Sequence, residues 1–199
     1  MKKILITQRH ERIGKFNELR DNIDIRYSKM IENIGMTPIL MPNSLENIPK
    51  YLDQIKPNGI LLTSGGNPKF KDQRNLVEIK LIKYSLEKKL PLVGICRGAQ
   101  VLNIFFGGKI TRVKNHVRKN HIIYGKILGK KKKILVNSYH DFGIYSKILG
   151  NHLDVLANAN DNTIECFKHK KNKLMGIMWH PERYKKLRNF EKKILKSFY

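Results

Sequence analysis

Runs of four or five mostly apolar residues alternate along this chain with longer segments whose apolar residues recur at helical spacing. Lys3 to Thr7, Thr37 to Met41, Gly59 to Thr63 and Leu92 to Ile95 read as strands. Between them, Asp24 to Ile34 carries Tyr27, Ile31 and Ile34 on one helical face, and Asp72 to Lys88 carries Leu76, Ile79, Ile82 and Leu86. Strands apolar on both sides must be covered on both, so the alternation predicts an α/β fold with a central, mostly parallel sheet between two layers of helices. The third strand runs into a turn, Ser64-Gly65-Gly66-Asn67-Pro68. From Gly107 to Val136 the pattern breaks, which predicts β-hairpins and loops laid over one edge of the sheet. Strands return at Leu153 to Leu156, Thr163 to Phe167 and Leu174 to Trp179. Lys185 to Tyr199 places Leu187, Phe190, Ile194, Leu195 and Phe198 on one face of a closing helix. With 199 residues and neither repeat nor linker, one domain over 1-199 is expected.

Forty Lys and Arg against 16 Asp and Glu give a net charge of +24. Such a balance attracts polyanions: nucleic acid, anionic membrane or a phosphorylated small molecule. Thirty of the forty cations are Lys, which a biased genomic composition would also produce. Their distribution says more, because 13 cations and no acid fall between Lys88 and His140. No helix-turn-helix, RNA-recognition or zinc-finger signature accompanies them, so nucleic acid is not the expected partner, and DNA or RNA binding stays the remote alternative. No apolar segment reaches the roughly 20 residues of a membrane span or resembles a signal peptide. A cytoplasmic protein without a membrane partner is expected. Cys96 and Cys166 stand 70 residues apart and form no CxxC pair, so no metal, cofactor or disulfide is expected. Cys166, between Ile164 and Phe167 in a strand pattern, reads as core.

The strongest chemical signal is Gly94-Ile95-Cys96-Arg97-Gly98, between an apolar strand and the helical segment Ala99 to Phe106. Glycines two before and two after a nucleophile allow a sharp strand-to-helix turn that leaves the nucleophile exposed. Here it would be a thiol, and the dipole of the following helix favours the thiolate. A buried cysteine in a glycine-rich turn fits the pentapeptide as well. A thiol needs a base, and Trp179-His180-Pro181-Glu182 offers one after a later strand. In extended chain residues i and i+2 share a side, so His180 and Glu182 would supply base and orienting carboxylate. A surface histidine capping the last helix is the alternative. An oxyanion formed at an acyl carbon would need backbone donors, for which the amides of Arg97 and Gly66 are the candidates.

Together these segments resemble the class I glutamine amidotransferase-like proteins, and within them the γ-glutamyl hydrolases of the C26 peptidase type. The resemblance rests on Thr63-Ser64-Gly65-Gly66, on Gly94 to Gln100 continuing through Asn103 and Gly107-Gly108, on Val136-Asn137-Ser138-Tyr139-His140, and on Gly176 to Glu182. It implies a flavodoxin-like three-layer sandwich, a Cys96-His180-Glu182 triad, and substrate contacts from Gly65, Gln100, Ser138, Tyr139 and His140. Gln100 and the Ser138-Tyr139 loop would hold the glutamate α-amino and α-carboxylate groups. Arg97 followed by Gly-Ala-Gln is similar to the hydrolase branch, so no obligatory synthetase subunit is implied; a glutaminase subunit is the alternative. Asp141-Phe142 departs from the polar residues usual after the motif histidine. The expected partner is a small γ-glutamyl substrate, anionic or nucleotide-linked. Arg112, Lys114, Arg118, Lys119 and the Lys130 run would steer it at the pocket mouth, with His116, Arg118 and His121 as possible phosphate contacts; hydrolysis of γ-glutamyl-GABA or another small γ-glutamyl amine is a further alternative.

Overall fold

A computed structural model describes residues 1–66, 68 and 72–199; Asn67 of the expected turn and the side chain of Lys132 lie outside the described set. In chain order the first half comprises β1 (Lys3–Thr7), β2 (Arg9–Ile13), β3 (Glu18–Asn22), α1 (Ile25–Asn33), β4 (Thr37–Met41), α2 (Ile48–Ile55), β5 (Gly59–Leu62), α3 (Gln73–Glu87) and β6 (Leu92–Ile95). The second half follows with α4 (Arg97–Phe105), β7 (Thr111–Arg112), β8 (Val117–Ile127), β9 (Lys130–Tyr139), β10 (Phe142–Gly143), β11 (Leu153–Ala159), β12 (Ile164–His169), β13 (Leu174–Ile177) and α5 (Asn189–Phe198). Helix starts follow local chemistry. Asp24 and Asp72 accept from the amides of Arg26 and Arg74, and Asn47 accepts from Lys50, each satisfying an otherwise orphaned donor.

The main sheet has the order β4-β1-β5-β6-β13-β12-β11-β8-β9. Its first five strands pair in parallel, and the last four are added antiparallel along one edge. Side chains alternate across it as the two-residue period requires. Ile4 and Ile6 pack with Tyr27 and Ile31 of α1 and Ile194 and Leu195 of α5, whereas Leu5 packs with Leu52 of α2, Leu81 of α3 and Leu102 of α4. The fold is therefore an α/β sandwich of three layers. Tyr199 locks the C-terminal end by donating to the carbonyl of Ile60 at 2.9 Å, and a side chain at Gly59 would collide with its ring.

Several expectations shift. The hairpin from Gly107 to Val136 extends the sheet through β8 and β9 instead of lying over its edge. Leu76 is 46% exposed, because the buried face of α3 is carried by Arg74, Val77, Glu78, Leu81, Ile82 and Ser85. A polar pair thus occupies the stripe that an apolar period would fill. The final helix starts at Asn189, four residues later than its periodicity implied, with Leu187 buried ahead of it. The β2–β3 hairpin and α2 had no sequence reading; Arg9–Ile13 and Glu18–Asn22 are largely polar and offer no apolar alternation.

Candidate active site

In an open parallel sheet, ligands gather beyond the carboxyl ends of the strands. Because β5, β6 and β13 are neighbours, their ends bring together Ser64-Gly65-Gly66, Cys96 and His180. Arg9, following β1, joins the same pocket. No helix among the described residues is long and apolar enough to cross a membrane.

The turn at Cys96 is as sharp as its glycines allow. Cys96 has φ +50°, a left-handed conformation that costs a non-glycine residue about 1–3 kcal/mol. A side chain at Gly94 would sit 2.5 Å from the Gly98 carbonyl, and one at Gly98 would sit 2.3 Å from the carbonyl oxygen of Leu62. Both neighbours are backbone and cannot yield, so α4 packs at this depth only with glycine at both positions. The Cys96 amide donates to the Ile177 carbonyl at 2.7 Å, fastening the turn to β13. Cys96 itself is 7% exposed and lines the pocket.

His180 is held on three sides. Its backbone is clamped by Asn137, whose Oδ1 accepts from the His180 amide at 2.8 Å and whose Nδ2 donates to the His180 carbonyl at 2.9 Å. Its ring Nδ1 lies 2.7 Å from Glu182 Oε1, while Nε2 is buried with no hydrogen-bond partner among the described residues. Burial opposes a charge on this ring, but Cys96 and the Glu182 carboxylate outweigh it and raise the imidazole to about 9. The extended geometry expected for His180-Pro181-Glu182 is replaced by a 3₁₀ turn over Pro181–Arg183. Proline's fixed φ suits the first position of such a turn, and the turn brings the carboxylate round to Nδ1.

The Ser64-Gly65-Gly66 segment is braced from below by a buried polar network. Arg74 donates to the carbonyls of Thr63 at 2.7 Å, Ser64 at 3.2 Å and Gly65 at 2.9 Å, and its Nε reaches Glu78 Oε1 at 2.9 Å. The other oxygen of Glu78 pairs with the guanidinium of Arg97, and Thr7 donates to Glu78 at 3.1 Å. The Ser64 amide donates to the hydroxyl of Tyr27 at 3.1 Å. Gly65 and Gly66 have φ of +98° and +71°, which a glycine adopts freely.

Gly65, Gln100, Tyr139 and His140 line the pocket, and Gln100 donates to the Phe142 carbonyl at 2.9 Å. Ser138 does not: its hydroxyl is fully buried and donates to the His116 carbonyl at 2.6 Å, since alternate residues of β9 point to opposite faces. His116 and His121 are likewise turned toward Glu165 on β12 and away from the pocket mouth. Arg118 is exposed on β8, beyond the pocket wall. Among the described side chains Arg112, Lys114, Lys119, Lys130, Lys131 and Lys133 are also absent from the wall; the last four sit on the β8–β9 hairpin, which is spent on sheet pairing. Among the described residues the cations that line it are Arg9 and Arg183, the latter stacked 4.1 Å above the Tyr139 ring. Sequence reading passed over both. Arg183 directly follows the His-Pro-Glu segment, which was the available signal; Arg9 had none. Cys166 is fully buried, and burial pushes its thiol up, away from reactivity.

Residues 20–199 match the family model for glutamine amidotransferase class-I. The chain is 34% identical to the γ-glutamyl-CDP-amidate hydrolase of Campylobacter jejuni subsp. jejuni serotype O:2, covering 98% of this chain and 96% of that one. It is also 34% identical to the carbamoyl phosphate synthase small chain of Aquifex aeolicus, over 69% of this chain but only 36% of the relative. In three dimensions it resembles PurLQS from Thermotoga maritima, with a TM-score of 0.72 at 17% identity over 99% of this chain and 97% of that one. A glutamine amidotransferase from the same organism gives 0.68 at 17% identity, over 91% and 76%.

Proposed function

The chain belongs to the class-I glutamine amidotransferase family, and from that premise we propose that it is a cysteine-dependent hydrolase of a γ-glutamyl amide. The observation that carries this reading is the Nδ1–Oε1 contact of 2.7 Å between His180 and Glu182, which leaves Nε2 unpaired on the pocket wall it shares with Cys96. In this mechanism the Cys96 thiolate attacks the γ-carbonyl carbon. The resulting oxyanion is stabilised by the amides of Arg97 and Gly66. Collapse breaks the carbon–nitrogen bond as the His180 imidazolium gives its proton to the departing amine. His180, now neutral, takes a proton from water, which attacks the γ-glutamyl thioester and releases glutamate and the thiolate. Glu182 holds the ring in the required tautomer and offsets its positive charge.

For the leaving group we infer an anionic, nucleotide-linked amine. Arg9 and Arg183 at the pocket wall attract a phosphate and repel a polyamine. The near full-length similarity to the Campylobacter hydrolase supports γ-glutamyl-CDP-amidate as substrate, with cytidine diphosphoramidate as product. That product is suited to phosphoramidate modification of a capsular polysaccharide. The second reading, a glutaminase subunit passing ammonia to a synthetase, draws on the likeness to the carbamoyl phosphate synthase small chain. Glutamate release measured across γ-glutamyl amides with cationic, neutral and phosphorylated leaving groups separates these. The phosphorylated amide should be preferred by the isolated protein; preference for a cationic amine such as putrescine, or activity only with an added synthetase, overturns the inference.

The pH dependence follows from His180. Its raised value keeps the proton in place across neutral pH and gives it up as the pH rises through about 9. kcat/KM should therefore fall on an alkaline limb near pH 9. Glu182→Gln removes one of the groups that raise the imidazole, so the limb should move to lower pH. A limb that stays in place in that variant would show that Glu182 does not act through His180.

A further inference from the structure

Behind the pocket wall, three imidazoles converge on one carboxylate. Glu165 on β12 is fully buried, and neither of its oxygens has a hydrogen-bond partner among the described residues. His140 Nε2 and His116 Nδ1 lie 3.4 and 3.6 Å from its Oε1, and His121 Nε2 lies 3.3 Å from its Oε2. The His116 ring centroid lies 4.8 Å from that of His121 and 4.7 Å from that of His140. The nitrogens of His121 and His140 that face Glu165 are themselves buried without a partner.

The opposite ring nitrogens account for the proton. His140 Nδ1 lies 3.0 Å from the carbonyl of Phe142, an acceptor only, so it must carry hydrogen. His116 Nε2 lies 2.9 Å from the Asp161 carboxylate, which the amide and hydroxyl of Thr163 fix in place. The neutral forms of His116 and His140 therefore turn lone pairs toward the Glu165 oxygens, an arrangement that is repulsive unless a positive charge sits among them. Ser138 spends its proton on the His116 carbonyl and cannot supply one. The separations of 3.3–3.6 Å exceed ordinary N–H···O lengths. The two to Oε1, 3.4 and 3.6 Å, are close to the edge of a tetrahedron of ligands about 2.0–2.1 Å from a central ion, roughly 3.3 Å.

We propose that His116, His140 and Glu165 form a binding site for a divalent transition metal of the zinc class. His116, His140 and Glu165 each present a ligand atom, all within 4.8 Å of one another. A histidine backed by a carboxylate and another backed by a carbonyl are the outer contacts that metal-ligating imidazoles require. The ion ties His116, just ahead of β8, to β12 and the segment from Tyr139 to Asp141, which forms one wall of the pocket, without touching the reacting atoms. The site stands whether or not the proposed hydrolysis is correct.

The test uses the full chain carrying Cys96→Ser, which removes the pocket thiol as a competing ligand, dialysed against Zn²⁺ or Co²⁺. One bound ion per chain is expected, with the visible bands of tetrahedral Co²⁺ and a Tm rise of roughly 5–10 °C at a hundredfold excess over Kd. Glu165→Gln and His140→Ala should each abolish the stoichiometric binding and the Tm rise, while His152→Ala, outside the cluster, should leave both unchanged. Absence of stoichiometric binding, or binding that survives in both cluster variants, overturns the proposal. Should the cluster variants fail to fold, the Co²⁺ spectrum of the Cys96→Ser chain decides: tetrahedral bands support the site and an octahedral spectrum rejects it.

Discussion

Replacing Cys96 by alanine is expected to lower kcat for glutamate release by at least about 10⁴-fold, because the variant loses the covalent route and retains only binding and the oxyanion donors. The fold should be nearly unaffected. Alanine also has a Cβ, so the φ of +50° carries the same strain, and only one small buried atom is lost. The variant therefore separates chemistry from folding, which a substitution at Gly94 or Gly98 would not. Combining Cys96→Ala with His180→Ala should cost little beyond the single change, since the two act in one proton-and-nucleophile unit. Steady-state rates on a γ-glutamyl amide, with far-UV circular dichroism as the folding control, check both statements. Activity within tenfold of the unaltered protein would place the nucleophile elsewhere.

What could be read from the sequence was whatever depends on residues close together in the chain. The turn around Cys96 is specified by two glycines and an apolar strand, and each has a steric reason that the structure displays: a backbone oxygen 2.3 Å from where a side chain at Gly98 would begin. The parallel strands β1, β5 and β6 were legible because they are buried on both faces and so carry little polar interruption, and β4, half-buried at the sheet's edge, is still almost wholly apolar. Polar elements were not. The β2–β3 hairpin shows no alternation, yet it follows directly from β1 and sets Arg9 beside the pocket. Ser138 and His116 look like pocket residues in sequence, but strand parity turns Ser138 inward and His116 faces Glu165, 49 residues further along the chain. The same long-range pairing hid Asn137, whose side chain clamps the backbone of His180 from 43 positions away. The charge of +24 pointed to the basic hairpin, whereas the two arginines on the pocket wall come from β2 and from the 3₁₀ turn after β13, outside the acid-free stretch.

Glu78 is expected to give the largest loss of stability of any single substitution near the site. It is fully buried on α3, between the guanidiniums of Arg74 and Arg97, which are themselves 2% and 1% exposed. Glu78→Ala removes the one fully buried acid of that group and leaves two cations in a low-dielectric interior; Asp72, 30% exposed and 3.9 Å from Arg97, is too solvated and distant to replace it. Breaking a buried pair in this way costs about 3–5 kcal/mol, a large part of the roughly 5–15 kcal/mol that holds a domain folded. Urea unfolding should show it as a lower midpoint, and a loss below about 0.5 kcal/mol would contradict the network. Glu78→Gln keeps the shape and one acceptor, so it should fold and expose the second consequence. Arg74 holds three successive carbonyls, those of Thr63, Ser64 and Gly65, and Glu78 holds Arg74. If the Gly66 amide meets the oxyanion, loosening that hold weakens an interaction made only in the transition state. In Glu78→Gln kcat should fall by up to about 10²-fold while KM changes little, since uniform binding is untouched. An increase in KM at constant kcat would instead show that the segment grips the substrate's ground state and has no part in stabilising developing charge.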